Sequence, residues 1–459
     1  MEIIRSLDQI DQKLREINVA AAANSDAAVR QVFADFAMDF TEFYHDLPAD
    51  PFSDQYYSYQ MGLYETLAGK SYEVKNEVSI FDGNAAITRP FPYSSGNPTT
   101  AGMHLSALGF VISGIQLPFG SRIIEFGAGW GNTTLALAML GYDVTVVEIE
   151  ERFCELIRNR AKLHGVSINV INGDFLSCEN MTDQYDGALF YECFHHCSDH
   201  MRLLRGLHKI IKPGGTLYLG AEPIKHDFPI PWGLRLDGES LWAIRQNGWM
   251  ELGYRVDYFQ EALKRTGWRG TVTVSQDAGW ANLWRLKRVI DQEITISTSD
   301  PVISSAVPKK PDGSIDAVED VNGYLMWGGY LGLAPGGWNG RLHLKKGSKR
   351  GGRIVVDVCD DHGKNIIAQR EVDLGLLGGD SDLIEIPFYL DSVSSNIEVR
   401  AVMGPDATIS IAGVGVSPDR DRPAPSVKHA HWAEPRQQRL VRRAKRAVKS
   451  ILTRLSRRA

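Results

Sequence analysis

The chain reads as a doubly wound α/β sheet set between a helical N-terminal region and a C-terminal antiparallel β-sandwich, and three stretches of sequence predict this. Residues 122–135, Arg-Ile-Ile-Glu-Phe-Gly-Ala-Gly-Trp-Gly-Asn-Thr-Thr-Leu, read as a buried strand, a turn with glycine at 127, 129 and 131, and the opening of a helix. From 119 to 293, strand-length apolar runs alternate with helical periodicity, the pattern of a parallel sheet covered on both faces. Between 321 and 418 the pattern changes to short alternating strands separated by Gly, Asp, Asn and Ser, the spacing of a sandwich.

At 459 residues the chain exceeds one ordinary core, so two or three domains are expected. Residues 1–118 form the N-terminal helical region. Ile3, Leu7, Ile10, Leu14 and Ile17 recur at spacings of four and three, which predicts an amphipathic helix over 3–17. Such a seam can pack on its own domain or, as the alternative, serve a homo-oligomer. A second helix is expected through Val32, Phe33, Phe36, Phe40 and Phe43, ending before Pro48. Asn97 or Thr99 is placed to cap a helix through Leu105, Leu108 and Ile112.

Within 119–293 strands are expected at 121–126, 143–148, 168–171, 186–191 and 216–221, with helices starting near 131, 151, 199 and 256. Residues 294–320 are polar and Pro-bearing and read as a linker. Residues 419–459 read as a Pro-rich spacer followed by a basic amphipathic helix.

The glycine turn resembles the first motif of the class I S-adenosylmethionine-dependent methyltransferases, E/D-x-G-x-G-x-G, more closely than the G-x-G-x-x-G of dinucleotide-binding domains. The resemblance implies a seven-stranded Rossmann-like sheet with a final antiparallel hairpin near 271–275 and 283–288, and S-adenosylmethionine as cofactor. It also implies roles for named residues. Glu125 would lie near the turn and the amino-acid portion of the cofactor, while Gly127, Gly129 and Gly131 permit close backbone approach. Glu148 would accept ribose hydroxyls, Asp174 would meet the adenine amino group with Phe175 packing on the ring, and Glu192 would contact the methionine part. Trp130 would cover the cofactor.

For proton removal from an acceptor hydroxyl, His195 and His196 are the candidates, since they follow the fourth strand. Neighbouring histidines do not readily point the same way, so one is expected to be catalytic, with His196 preferred, and the other structural. Cys193, His195, His196, Cys197 and His200 crowd one loop without the two separated pairs of a structural zinc motif, so no metal site is assigned; a Mg²⁺-assisted reaction stays open. Residues 229–250 carry Trp232, Trp242 and Trp249 beside Arg235, Asp237, Glu239 and Arg245, faces that suit a sugar ring or, equally, the packing of a lid. Trp232 and Arg235, with Tyr93 and His104 from the 89–104 run, are the candidate substrate contacts. The C-terminal domain is similar to β-sandwich modules of bacterial surface-glycan enzymes, with Trp327, Tyr330 and Trp338 as candidate saccharide contacts.

The five cysteines form no disulfide framework, and no leader or membrane-spanning run is recognisable, so a cytoplasmic protein is expected. Residues 436–458 hold ten Lys/Arg and no acid, and setting those ten aside takes the formal net charge from −6 to −16. Apolar residues of that tail, Leu440 to Leu455, share one helical face, the pattern of a helix lying on an anionic membrane surface. An acidic body of this kind is not expected to bind nucleic acid. Together these readings point to an O-methyltransferase acting on a sugar of a surface polysaccharide or lipid-linked glycan, held at the inner face of the membrane. The alternatives are a glycan-binding scaffold with an inactive methyltransferase fold, or an enzyme of a small-molecule or lipid acceptor.

Overall fold

In the computed structural model, residues 2–22, 26–39, 43–78, 81–317, 323–377, 382–404, 406–419 and 422 are described. The basic helix expected over 436–458 and nearly all of the spacer before it lie outside these residues.

The N-terminal region begins with strand β1 (Glu2–Ile4), helix α1 (Leu7–Ala22), helix α2 (Asp26–Asp35) and strand β2 (Phe36–Met38). β1 and β2 pair in parallel, Ile3 opposite Ala37. The first expected helix therefore starts later than its apolar spacing suggested and runs further, to Ala22: Ile3 lies on a strand and is exposed, while Ile10, Leu14 and Ile17 are buried in the protein's own core. That burial takes the seam away from any partner chain. Likewise Phe36 leaves the second helix for β2, where it is fully enclosed. The β1 pairing, remote in sequence, overrides the local helical pattern. Helices α3 (Asp54–Ala68), α4 (Gly83–Thr88) and α5 (Pro98–Ser113) complete the region. Asn97 caps α5, its Oδ1 accepting from the amides of Thr99 (2.9 Å) and Thr100 (3.3 Å).

Next come β3 (Arg122–Phe126), α6 (Asn132–Met139), β4 (Asp143–Glu148), α7 (Glu151–His164), β5 (Ile168–Asn172), β6 (Tyr185–Tyr191), α8 (His200–Gly206) and β7 (Ile211–Gly220). After short strands β8 (Ile224–Lys225) and β9 (Trp232–Leu234), helix α9 (Gly238–Trp242) and strand β10 (Leu252–Arg255), the chain continues into α10 (Val256–Arg265), β11 (Trp268–Val274) and β12 (Asn282–Ile290). The strands hydrogen-bond in the order β5-β4-β3-β6-β7-β12-β11. β3 to β7 run parallel, β12 is antiparallel to β7, and β11 returns along β12. This is the expected seven-stranded α/β sheet, hairpin included. Reversal of strand order between β3 and β6 opens a crevice at the carboxyl ends of the strands, where ligands of such sheets bind.

One face of the sheet and the N-terminal region share a single core. Trp232 belongs to it: buried at 3% exposure, it packs against Tyr56 and donates from Nε1 to the Pro51 carbonyl (2.8 Å), which withdraws it from any substrate. Trp268 sits deeper still, with its Nε1 on the Leu204 carbonyl (2.9 Å) and its ring edge-on to His208. Trp268→Ala removes a full indole and strands that carbonyl, so a stability loss of about 3 to 5 kcal/mol is expected by chemical denaturation; a loss under about 1 kcal/mol would mean that the core collapses around the hole.

Residues 294–320 are not a free linker. They hold β13 (Ile294–Ser297), β14 (Ile303–Ser305) and β15 (Ile315–Asp316), which pair with strands far along the chain. Polar residues alternate with buried Ile294, Ile296, Ile303 and Ile315, so these are edge strands with one buried face. The remaining strands are β16 (Tyr324–Gly328), β17 (Leu331–Leu333), β18 (Gly336–Leu344), β19 (Arg353–Asp360), β20 (Asn365–Asp373), β21 (Leu383–Leu390), β22 (Ser394–Met403) and β23 (Ser410–Pro418). They form two antiparallel layers, β21-β18-β23-β13 and the layer of β14, β16, β22, β19 and β20, enclosing one apolar core. Trp338 is part of that core at 2% exposure, its Nε1 donating to the Ala334 carbonyl (2.9 Å), so it offers no face to a saccharide. β17 joins the two domains by pairing in parallel with the end of β12, Val289 opposite Gly332. Since β12 starts at the crevice and ends at this junction, the C-terminal domain sits at the opposite end of the sheet from the crevice.

Candidate active site

The glycine turn follows from its neighbours. Gly127, Gly129 and Gly131 all take positive φ (63°, 49° and 69°), which side chains rarely adopt. A Cβ at Gly127 would lie 3.0 Å from Cys193 and 3.2 Å from Phe175, whereas one at Gly129 would meet nothing within 4 Å. Gly129 thus turns its bare backbone toward open space. Gly131 has a structural role, since Ile157 of α7 occupies the space a side chain would need.

Two glutamates hold this turn. Glu125 is buried at the end of β3 and takes hydrogen bonds from the hydroxyls of Thr133 and Thr134, the latter at 2.5 Å. Burial pushes its carboxyl up to about 7, with the threonines and then nearby Glu148 as lesser influences. It fixes the start of α6 and does not line the crevice. Glu148, at the end of β4, accepts from the Gly129 amide (2.9 Å) through Oε2 and from the Glu150 amide (3.0 Å) through Oε1. Each oxygen keeps a lone pair, and the side chain lines the crevice. Burial raises its pKa despite those amides.

The crevice, about 220 Å³, is lined from the sheet side by Gly127, Gly129, Glu148, Asp174, Phe175, Glu192 and His196, and from the N-terminal and lid segments by Tyr72, Glu77 and Trp249. Asp174 caps the turn after β5, its Oδ1 accepting from the Ser177 amide (2.9 Å). Phe175 stands edge-on to Phe126 and Phe190. Trp130 lies outside, in contact with Phe81 and Phe153, so it does not cover the crevice.

Across from the turn, Glu192 has φ of 53° and the nearby Ala221 57°, two strained positions at the ends of β6 and β7. The Glu192 side chain keeps 37% exposure, yet it is recessed beside other carboxylates. Burial first, then Glu222 and Glu239, push it up to about 8. His104 approaches it at 4.0 Å, from α5. Tyr93 remains 46% exposed and lines no part of the crevice.

The histidine loop is pinned by Glu222, whose side chain is 0% exposed. Its Oε1 accepts from the amides of Cys193 (3.0 Å) and Phe194 (2.9 Å); its Oε2 accepts from the His195 amide (3.1 Å) and pairs with His195 Nδ1 (2.8 Å). His195 is buried, its Nε2 3.6 Å from Glu251. His196 faces the crevice, its Nδ1 3.2 Å from Glu77. Burial works against charge on the His196 ring, but Glu77, with Glu251 and Glu222 behind it, outweighs burial and raises the ring to about 9.

The other members of the histidine loop go elsewhere. Cys193 donates from Sγ to the Phe126 carbonyl (3.0 Å), and His200 bonds the Tyr258 hydroxyl (2.7 Å). One atom each of His195, His196 and Glu251 lie within 4.8 Å of one another, close enough for a cation. Arg235 already meets that need: its Nη1 is 3.1 Å from the same Glu251 oxygen that faces His195. Arg235 therefore orders the second layer of the site.

Glu77, Glu222 and Glu251 were not singled out from the sequence. Glu222 carried a signal, an acid just past the end of β7, while Glu77 and Glu251 lie in segments without a motif and reach the site only through tertiary packing.

Residues 123–215 match the family described as a methyltransferase domain. This segment is a methyltransferase domain. Among relatives of the chain, the ubiquinone biosynthesis O-methyltransferase of Xanthomonas campestris pv. campestris (strain B100) is 28% identical over 117 residues, which cover 24% of this chain and 47% of that protein. An S-adenosyl-L-methionine-dependent Diels-Alderase of Talaromyces variabilis is 34% identical over 109 residues, 23% of this chain and 37% of that protein. A crystal structure of an S-adenosylmethionine-dependent methyltransferase from Mesorhizobium loti covers 40% of this chain and 98% of its own, at 19% identity and a TM-score of 0.34. The chain spans less than half the length of these curated relatives.

S-adenosylmethionine is the cofactor named for the Talaromyces variabilis relative. The crevice fits it: open space over Gly129, spare lone pairs on Glu148 for vicinal hydroxyls, and Phe175 with Asp174 at the far end for a flat, hydrogen-bonding base. Among the described residues no helix is long and apolar enough to cross a membrane.

Proposed function

We propose that the protein is an O-methyltransferase whose acceptor is a sugar hydroxyl of a surface polysaccharide or lipid-linked glycan. The reading is carried by one observation: His196 and Glu192 stand across the same crevice from Gly129 and Glu148. S-adenosylmethionine supplies an electrophilic methyl group. The chain's task is to align an acceptor oxygen with that methyl at about 3 to 3.5 Å and to remove its proton. Glu148 and Asp174 hold the nucleoside end, Glu192 meets the amino-acid end, and His196 takes the proton. Glu222 acts through position, fixing the loop and the His195 ring behind it. Tyr72, Glu77 and Trp249 supply the wall where the acceptor enters, an aromatic and acidic surface suited to a hydroxylated ring.

For the C-terminal domain, a saccharide contact rests on Tyr330, half-buried beside His362 at 5.5 Å between ring centres. Because that domain lies at the far end of the sheet, it would hold a long glycan remote from the reacting unit. The cationic segment 436–458 is proposed to bring the chain to an anionic membrane at the cytoplasmic face. The second reading, a lipid or small phenolic acceptor, is favoured by the name of the ubiquinone biosynthesis relatives.

The experiment incubates the full chain with labelled S-adenosylmethionine and, in parallel, with extracted surface glycan, total lipid or a catechol. Label in the glycan, located by mass spectrometry as one added CH₂ on a sugar, is the expected result. Label in the lipid or catechol alone would transfer the reading to the second acceptor class, and cofactor binding without label in any of them would leave a scaffold.

A further inference from the structure

The C-terminal domain is acidic, yet its cations are gathered at one place. Residues 294–418 carry 16 Asp/Glu against 11 Lys/Arg, and six of those eleven fall in the two short runs 309–310 and 345–350. The fold brings the runs together. The turn after β18 and the loop before β15 face each other over the edge of β23, anchored by the Lys345 amide on the Ser410 carbonyl (2.8 Å) and the Ala317 amide on the Ile409 carbonyl (2.9 Å). Between them lies a cavity of about 420 Å³, lined by Lys310, Lys345, Lys346, Lys349, Ser348 and Thr408 among others. That volume is within the range of small-ligand sites, roughly 300 to 1,000 Å³.

Two of the four lysines are balanced by the chain. Lys310 pairs with Asp316 and Lys345 with Asp312. Lys346 and Lys349, both exposed, have no ion pair with any described residue. Gathering like charges around a hollow costs energy through their repulsion, and an acidic domain has acids to spare for neutralising them. The cost is recovered when an anion enters. The donor type narrows the ligand. Arg350, whose planar fork would suit a carboxylate, is instead turned to Asp382 (2.6 Å). The charged groups lining the cavity are four ammonium groups and the Asp316 carboxylate, the latter engaged by Lys310; the ammonium groups are compact point charges that suit a tetrahedral oxyanion carrying more than one negative charge. Gly347, at φ of 71° with open space where a side chain would be, leaves the rim of the turn clear for approach.

We propose that this cavity binds a phosphate-bearing ligand of about the size of a diphosphate or a phosphorylated sugar. The site is separate from the crevice, and its existence does not depend on the methyltransferase reaction. Lys346 and Lys349 are its principal contacts, with Ser348 and Thr408 beside them.

The test is titration calorimetry of the full chain with inorganic pyrophosphate, alongside flotation with phosphatidylglycerol vesicles, for the natural sequence and for the double variant K346A/K349A. Both lysines are exposed, so the double variant should fold, as circular dichroism will check. Pyrophosphate should bind at low salt, weaken as salt rises, and bind at least about tenfold more weakly to the double variant. If vesicle binding also falls in the double variant, the phosphate is that of a lipid headgroup; if vesicle binding is unchanged while pyrophosphate binding falls, it is that of a soluble or glycan phosphate. Equal pyrophosphate binding by both proteins, or none by the natural one, overturns the proposal.

Discussion

Replacing Glu148 by Ala is expected to weaken S-adenosylmethionine binding by about a hundredfold or more, roughly 2.8 kcal/mol, without unfolding the chain. Two losses combine. In the proposed reading the carboxylate accepts from the ligand's vicinal hydroxyls, and it also tethers the Gly129 amide at 2.9 Å, so its removal would loosen the turn over which the ligand is proposed to lie. Glu148→Gln separates the two. The amide oxygen can keep one tether but the second position becomes a donor facing the Glu150 amide, 3.0 Å away in the natural protein, so an intermediate loss is expected. Gly129→Val approaches the same volume from the other side. Its branched side chain would project into the open space above the turn and impose a β-branched residue on a φ of 49°, so binding should fall at least as far as with Glu148→Ala. Calorimetry with the cofactor, paired with thermal unfolding, checks all three. If Gly129→Val binds as the natural chain does, the ligand does not lie over this turn and the assignment of the crevice fails.

The parts of this site that were legible in sequence are those fixed by local backbone geometry. A strand with Glu125 next to its last residue, a turn that needs three glycines and a helix beginning at Asn132 follow one another in sequence, and each strand of the sheet carries its own apolar run. The carboxylate of Glu148 was readable for the same reason, as the last residue of a strand whose neighbours were already placed. What failed depended on pairing at long range. Phe36 has helical spacing but joins a strand because β1 offers it hydrogen bonds, and Trp232 has the composition of a sugar platform but is taken up by Tyr56, a contact 176 residues away in sequence. The supposed linker follows the same rule: Ile294, Ile296 and Ile303 bury themselves against β23 and β16, strands that no local window contains. The histidine loop shows both sides. Its position after β6 was evident, but the residues that decide which ring does what, Glu77, Glu222 and Glu251, come from three other segments.

The difference between the two histidines gives the second large effect. His196→Ala should cut turnover by about 10² to 10⁴ while leaving cofactor affinity within a few fold, the mark of a group that acts on the acceptor's proton. The ring must be neutral to accept that proton, and Glu77 holds it charged up to about pH 9. The sign of the pH dependence follows: turnover rises with pH, reaches half its maximum near 9 and levels off above that, because each step upward increases the fraction of neutral imidazole. Glu77→Gln removes the negative neighbour that most favours the charged ring, while its amide oxygen can still accept from the Met250 amide, 2.7 Å from Glu77 Oε1 in the natural protein. Burial then acts with less opposition, and the rising limb should move to lower pH, leaving the variant faster than the natural chain near pH 7. A structural role for His196 would lower turnover at every pH without moving the limb. His195 offers the contrasting case. Its Nδ1 is engaged by Glu222, which also holds three backbone amides of the same loop, so Glu222→Gln should depress turnover and loosen the loop together and shift the limb to lower pH less than Glu77→Gln does. A limb that follows Glu222 and ignores Glu77 would assign proton removal to His195 instead.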